Sequence, residues 1–127
     1  MNLNDIVKEI DAQPLCCGEK MESIEIASAY SCDLMSDVLA FCSPGSLLLT
    51  GLTNIQIVRT AQMLDIPAVI FVRGKTPQEE TVELAREAGI PLLLCRYNMF
   101  HTSGLLYMKG VKPSSSDAGV ADRKSVV

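Results

Sequence analysis

Apolar residues recur along this chain at two alternating spacings, and that alternation sets the expected fold. Leu3, Ile6, Val7 and Ile10 fall at helical spacing, with Asn2 or Asn4 placed to cap the start. They predict a short helix ending before Pro14, followed by a turn-like stretch over residues 13–21. Ile24 and Ile26 alternate within residues 23–29, the pattern of a first strand. Ser31 or Asp33 then stands where it would cap a second helix, which carries Leu34, Met35, Val38, Leu39 and Cys42 on one side. Ser43-Pro44-Gly45 stops that helix.

Residues 46–50, Ser-Leu-Leu-Leu-Thr, form a short continuous apolar run, which suits a strand covered on both faces in a parallel sheet. Thr53 with Gln56 has the spacing of a capping box, and its helix should run to about Leu64. Residues 68–72, Ala-Val-Ile-Phe-Val, are the strongest strand signal in the chain. Thr76 with Glu79 predicts a second capping box, with Pro77 at the first helical position and Gly89 ending the helix. Leu92-Leu93-Leu94 is a further buried strand, and Asn98 is placed to cap a last helix through Phe100, His101, Leu105 and Met108.

An internal repeat orders these elements. Residues 61–70 read AQMLDIPAVI and residues 85–94 read AREAGIPLLL. Each stretch ends a helix, places Ile-Pro in the connection and opens an apolar strand. Successive helix–strand units imply parallel strands with right-handed crossovers. The expected fold class is therefore α/β: an open layered sheet of about four mainly parallel strands with helices on both faces. Residues 1–111 are expected to form the domain. Residues 112–127, small and polar without periodicity, are expected to be a flexible tail.

Composition narrows the function classes. The chain has 127 residues, which suits one domain. A net charge of −4 gives no general attraction to nucleic acid or to an anionic membrane. No apolar run is long enough to span a bilayer, and the N-terminus lacks the basic-then-apolar layout of a signal peptide, so a cytoplasmic location is expected. The five cysteines have irregular spacing and no C-x-x-C pair, which fits neither a disulfide framework nor a zinc ribbon. Cys42 and Cys95 read as core residues. Cys16-Cys17, between Pro14 and Gly18, stands in an expected turn where a thiol would be accessible.

Open parallel sheets bind ligands beyond the carboxyl ends of their strands. Those ends carry Asp33, Thr50, Thr53, Asn54, Arg73, Lys75, Thr76, Arg96 and Asn98, a polar rim suited to a phosphate or carboxylate. The alternative is that Thr53 and Thr76 only cap helices and the basic residues are solvated. Gly74-Lys75-Thr76 ends like a P-loop, but the motif requires glycine where Val69 stands inside a strand. His101 is the sole histidine, on a late helix, where packing or an exposed face is expected. Asp33 and Asp37 are expected on one helical face with no third carboxylate converging on them. No catalytic constellation, metal site or cofactor is expected.

The order of motifs resembles the DRTGG domain family, which is similar to the N-terminal domain of HPr kinase/phosphorylase. The segments that carry the resemblance are Asp33-Leu34-Met35-Ser36-Asp37-Val38, Leu48-Leu49-Thr50-Gly51, Ala68-Val69-Ile70-Phe71-Val72, Thr76-Pro77-Gln78-Glu79-Glu80-Thr81 and Ala88-Gly89-Ile90-Pro91-Leu92. Leu52-Thr53 replaces the Asp-Arg expected after Thr50-Gly51, and Arg73-Gly74 replaces a paired glycine after the central strand. The resemblance implies a regulatory or ligand-sensing module of the kind found beside CBS domains, without the separate P-loop domain that carries the kinase activity. The leading expectation is a non-catalytic module binding a small anionic ligand, a protein partner, or both. The second is a self-association module, most simply a homodimer. The third is an enzyme using carboxylates or Cys16 and Cys17.

Overall fold

The computed structural model describes residues 1–114. The rest of the expected flexible tail lies outside the described residues. In chain order the elements are α1 (Leu3–Glu9), β1 (Gln13–Cys16), a 3-10 helix (Gly18–Ser23), β2 (Ser28–Ser31), α2 (Met35–Phe41) and β3 (Leu47–Thr50). They continue with α3 (Gln56–Met63), β4 (Val69–Phe71), α4 (Glu79–Ala88), β5 (Leu92–Leu94), α5 (Met99–Met108) and β6 (Lys112–Pro113).

The sheet has six strands in the order β1-β5-β4-β3-β2-β6, two more than the four expected. The central four, β2 to β5, are parallel and in sequential order, as the Ile-Pro repeat implies. The two additions are edge strands. β1 pairs antiparallel with β5 inside the stretch expected to be a turn, with Gln13 opposite Leu94 and a register shift between Pro14 and Cys16. Proline is tolerated there because an edge strand can turn its missing N–H to solvent. β6 pairs parallel with β2, so the sheet reaches one step past the expected boundary at residue 111.

Side-chain alternation on the strands divides the core into two layers. Leu47, Leu49, Ile70, Val72 and Leu93 meet α1 and α5 on one face through Leu3, Ile6, Ile10 and Leu106. Leu48, Val69, Phe71 and Leu92 meet α2, α3 and α4 on the other through Val38, Ile57, Val58, Ala61 and Ala85. Helices thus cover both faces. Cys42 and Cys95 lie in this core as expected, but Cys16 and Cys17 are buried too, because β1 carries them against Ala85 and Ile90.

Several helix starts differ from the expectation. α2 is capped by neither Ser31 nor Asp33: its N-cap is Leu34, without a side-chain bond. Asp33 lies before the helix and so shares no helical face with Asp37. The Thr53 capping box does not form, because α3 starts only at Gln56 and the Thr53 carbonyl accepts the Thr81 hydroxyl instead. The Thr76 box does not form either: the N-cap of α4 is Gln78, leaving Pro77 outside the helix. Asn2 and Asn98 do cap α1 and α5, and Gly89 ends α4 at φ +74°. The Ile24–Ile26 stretch holds the N-terminus through bonds to Met1 and Leu3, and β2 proper begins at Ser28.

Candidate functional site

The topology marks one place on the sheet's carboxyl edge. β4 leads into α4 on one face, while its neighbour β5 leads into α5 on the other. Adjacent strands whose connections part in this way open a crevice at the point of departure. Here the two loops are also stitched together. The Arg73 N–H donates to the Tyr97 carbonyl at 2.7 Å and the Gly74 N–H to the Cys95 carbonyl at 2.8 Å. Arg73 and Gly74 are both left-handed, at φ +62° and +64°. An arginine in that region is strained relative to glycine, and the two cross-loop bonds hold it there. These are the positions where the family resemblance implies paired glycines.

Arg73 reaches back over the ends of the neighbouring strands. Its Nη2 lies 2.6 Å from the point a Gly51 Cβ would occupy, with the Asp33 oxygens at 3.3 and 3.4 Å from that same point. Asp33 Oδ1 accepts the Gly51 N–H at 2.6 Å and the Thr50 hydroxyl at 3.3 Å. Thr50 in turn accepts the Leu52 N–H. Asp33, Thr50 and Arg73, expected to share a rim, therefore do converge, around Gly51. Gly51, noted only for the family resemblance, is not among the expected rim residues, although a glycine at the end of a strand is a signal of close approach. The backbone carbonyls of Tyr97 and Cys95, which join the two loops, leave no signal in sequence.

The other candidates are placed differently. Lys75 is exposed on the β4–α4 loop, and neither it nor Arg73 has an ion-pair partner among the described residues. Arg96 is exposed beside them, paired with Asp11 at 3.3 Å and lying over the Tyr97 ring. The Asn54 carboxamide is occupied by the Gln56 N–H and that of Asn98 by the His101 N–H. Thr76 opens on a separate groove of about 510 Å³ beside α4, lined also by Glu79, Glu80, Glu83 and Arg86. Three carboxylates there oppose an anion. A smaller pocket of about 100 Å³ lies between β2, α5 and β6.

The Cys16 and Cys42 thiols sit away from this cluster, whereas the half-buried Cys32 directly precedes Asp33. Burial pushes the Cys16 thiol up to about 11 from an ordinary 9.0, and does the same to Cys42. His101 stacks on Tyr97 with ring centroids 4.1 Å apart. Among the described residues no cluster of three His, Cys, Asp or Glu side chains has a metal-holding arrangement, and no helix is long and apolar enough to cross a membrane.

Comparison with known proteins gives a family match and structural relatives. Residues 5–108 match the family model of the DRTGG domain. The fold matches a crystal structure of the CBS and DRTGG domains of the regulatory region of Clostridium perfringens pyrophosphatase, complexed with the activator diadenosine tetraphosphate. The TM-score is 0.69 at 20% identity, over 88% of this chain and 47% of that one. The chain thus spans about half the length of that structure, and the likeness at this identity is one of fold. No curated protein matches.

Proposed function

Because this chain belongs to the DRTGG domain family, we propose that it is a non-catalytic regulatory module that senses a small phosphate-containing anion at the carboxyl edge of the sheet, where Arg73 lies over Gly51. The observation that carries the reading is Arg73: a strained, exposed arginine with no ion pair among the described residues, on a loop with Lys75 and next to Arg96. In a chain of net charge −4, Arg73 and Lys75 on one loop, with Arg96 following the adjacent strand, make this edge locally cationic. Arg73 and Lys75 would bind the anion directly, with Arg96 adding charge. Asp33 has a different part. Its carboxylate already fills the strand-end N–H of Gly51, and it competes with a ligand for Arg73.

The structural relative is a regulatory region complexed with an activator, diadenosine tetraphosphate, and a polyphosphate is accordingly the ligand class proposed for this chain. Burial of the Cys16 and Cys42 thiols disfavours their thiolates, which argues against these two as nucleophiles. The five free cysteines fit the reducing cytoplasm. Calorimetric titration of the full chain with inorganic phosphate, ATP and diadenosine tetraphosphate tests the proposal. Saturable binding that Arg73→Gly abolishes is expected. No binding of any of the three at millimolar concentration would sink it.

A further inference from the structure

Helix α5 holds no Asp, Glu, Lys or Arg from Met99 to Met108, and its polar side chains are only His101, Thr102 and Ser103. Thr102 and Leu106 face the core, while Phe100, Tyr107 and Met108 are 88%, 69% and 83% exposed. Three large apolar side chains exposed together on one helix face mark a contact surface. At about 100° per residue, Gly104 lies in the middle of the exposed stripe, opposite Thr102 and Leu106. Glycine inside a helix destabilises relative to alanine. Yet a Cβ at Gly104 would meet nothing within 4 Å, and its backbone is not left-handed. Nothing in the described part of the chain requires glycine there.

The stripe is also nearly palindromic. Phe100 and Met108 stand four residues to either side of Gly104, and His101 and Tyr107 stand three to either side. We propose that α5 of a second copy of this chain covers this face, antiparallel to the first, with the two-fold axis passing at Gly104. Phe100 then meets Met108 of the partner subunit, a sulfur–aromatic contact made twice. His101 faces Tyr107 of the partner subunit, and the two glycines allow the helix backbones to approach closely.

Charge favours a second copy on this face over others. Two chains of net charge −4 repel, and this stripe brings none of that charge into contact. The three exposed side chains offer on the order of 500 Å² of apolar surface. With flanking residues that approaches the roughly 800 Å² per partner of a standard interface, so the dimer is weak, with a dissociation constant of order micromolar. The proposal goes beyond the ligand-sensing reading and stands or falls independently of it.

Sedimentation of the full chain from micromolar to near-millimolar concentration is the test, with Gly104→Leu and Phe100→Lys as variants. The expected result is a reversible monomer–dimer equilibrium without larger species. Both variants should keep the parent's circular dichroism and thermal unfolding at low concentration, since their side chains enter open space, and should weaken the dimer about tenfold or more. A chain that stays monomeric at the top of the range, as it would if a different protein covers α5, overturns the proposal. So does a dimer that neither variant weakens.

Discussion

Asp33 accepts the backbone N–H of Gly51 at 2.6 Å and so ties the end of β2 to the end of β3. The bond is made by an exposed carboxylate, so its contribution sits at the low end of charge-assisted bonds, about 1.5 kcal/mol. Asp33→Ala should lose about that much in urea unfolding, and Asp33→Asn, which keeps an acceptor oxygen, about half. Ligand affinity should move the other way. Both variants remove a negative charge beside Arg73, and phosphate should bind several-fold tighter by calorimetry. If stability and affinity fall together, Asp33 is a ligand contact and not a competitor.

Gly51→Ala probes the same cluster from the other side. The new Cβ would overlap Arg73 Nη2 at 2.6 Å, but that atom is the end of a flexible side chain and can swing away. The fold should therefore lose less than about 1 kcal/mol. Phosphate affinity should drop about tenfold, because the displaced guanidinium gives up its ordered position. Unchanged affinity would mean that the seating of Arg73 over Gly51 is irrelevant to binding.

Arg73→Gly separates strain from recognition. Glycine adopts φ +62° freely, whereas an L side chain there costs about 1–2 kcal/mol, offset in part by about 0.5–1 kcal/mol of extra backbone entropy lost by glycine. The variant should be equal to the parent in stability or up to about 1 kcal/mol better, and should not bind phosphate. A protein that gains stability by losing this side chain retains it for something other than folding. A variant destabilised by more than about 1 kcal/mol would instead make Arg73 a structural residue.

The parallel core was legible because each of its signals is local and repeated. Ile66-Pro67 and Ile90-Pro91 mark two equal units, and residues 47–49, 69–71 and 92–94 are apolar on both faces. The edges were not legible, because β1 contains Pro14 and β6 is only Lys112 and Pro113, sequences that signal turns. The helix starts misled for a related reason. Thr53 and Thr76 have capping-box spacing, but a hydroxyl caps only if the chain is already turning, and here the helices begin three residues later. Of the candidate site, strand-end positions were readable from topology alone. The meeting of Asp33 and Arg73 over Gly51 was not, since it depends on the left-handed turn at Arg73.

The buried thiols set an alkaline limit on stability. Cys16 and Cys42 stay protonated in the folded chain up to about 11, chiefly because burial disfavours the thiolate. In the unfolded chain they ionise near the ordinary 9.0. Between these values the unfolded state holds fewer protons, so it gains relative to the native state as pH rises. The contribution is whole below pH 9 and is lost as pH climbs towards 11. Urea midpoints should be flat from neutrality to pH 8.5 or so and fall beyond it, and the fall should be shallower in Cys42→Ala. An equal slope in that variant would assign the alkaline loss to other groups.

Gly104→Ala isolates what glycine does in α5. The methyl group enters open space, the backbone is ordinary helix, and alanine is favoured over glycine in a helix interior by about 0.5–1 kcal/mol. At concentrations low enough to keep the chain monomeric, the variant should unfold at higher temperature and higher urea than the parent. A single methyl is small enough to leave helix–helix approach partly open, so association should weaken far less than with leucine. Stability gained in the monomer together with affinity lost in the dimer would show that the glycine serves contact with another helix. A destabilised monomer would mean that α5 requires glycine for its own packing, and the stripe would lose its centre.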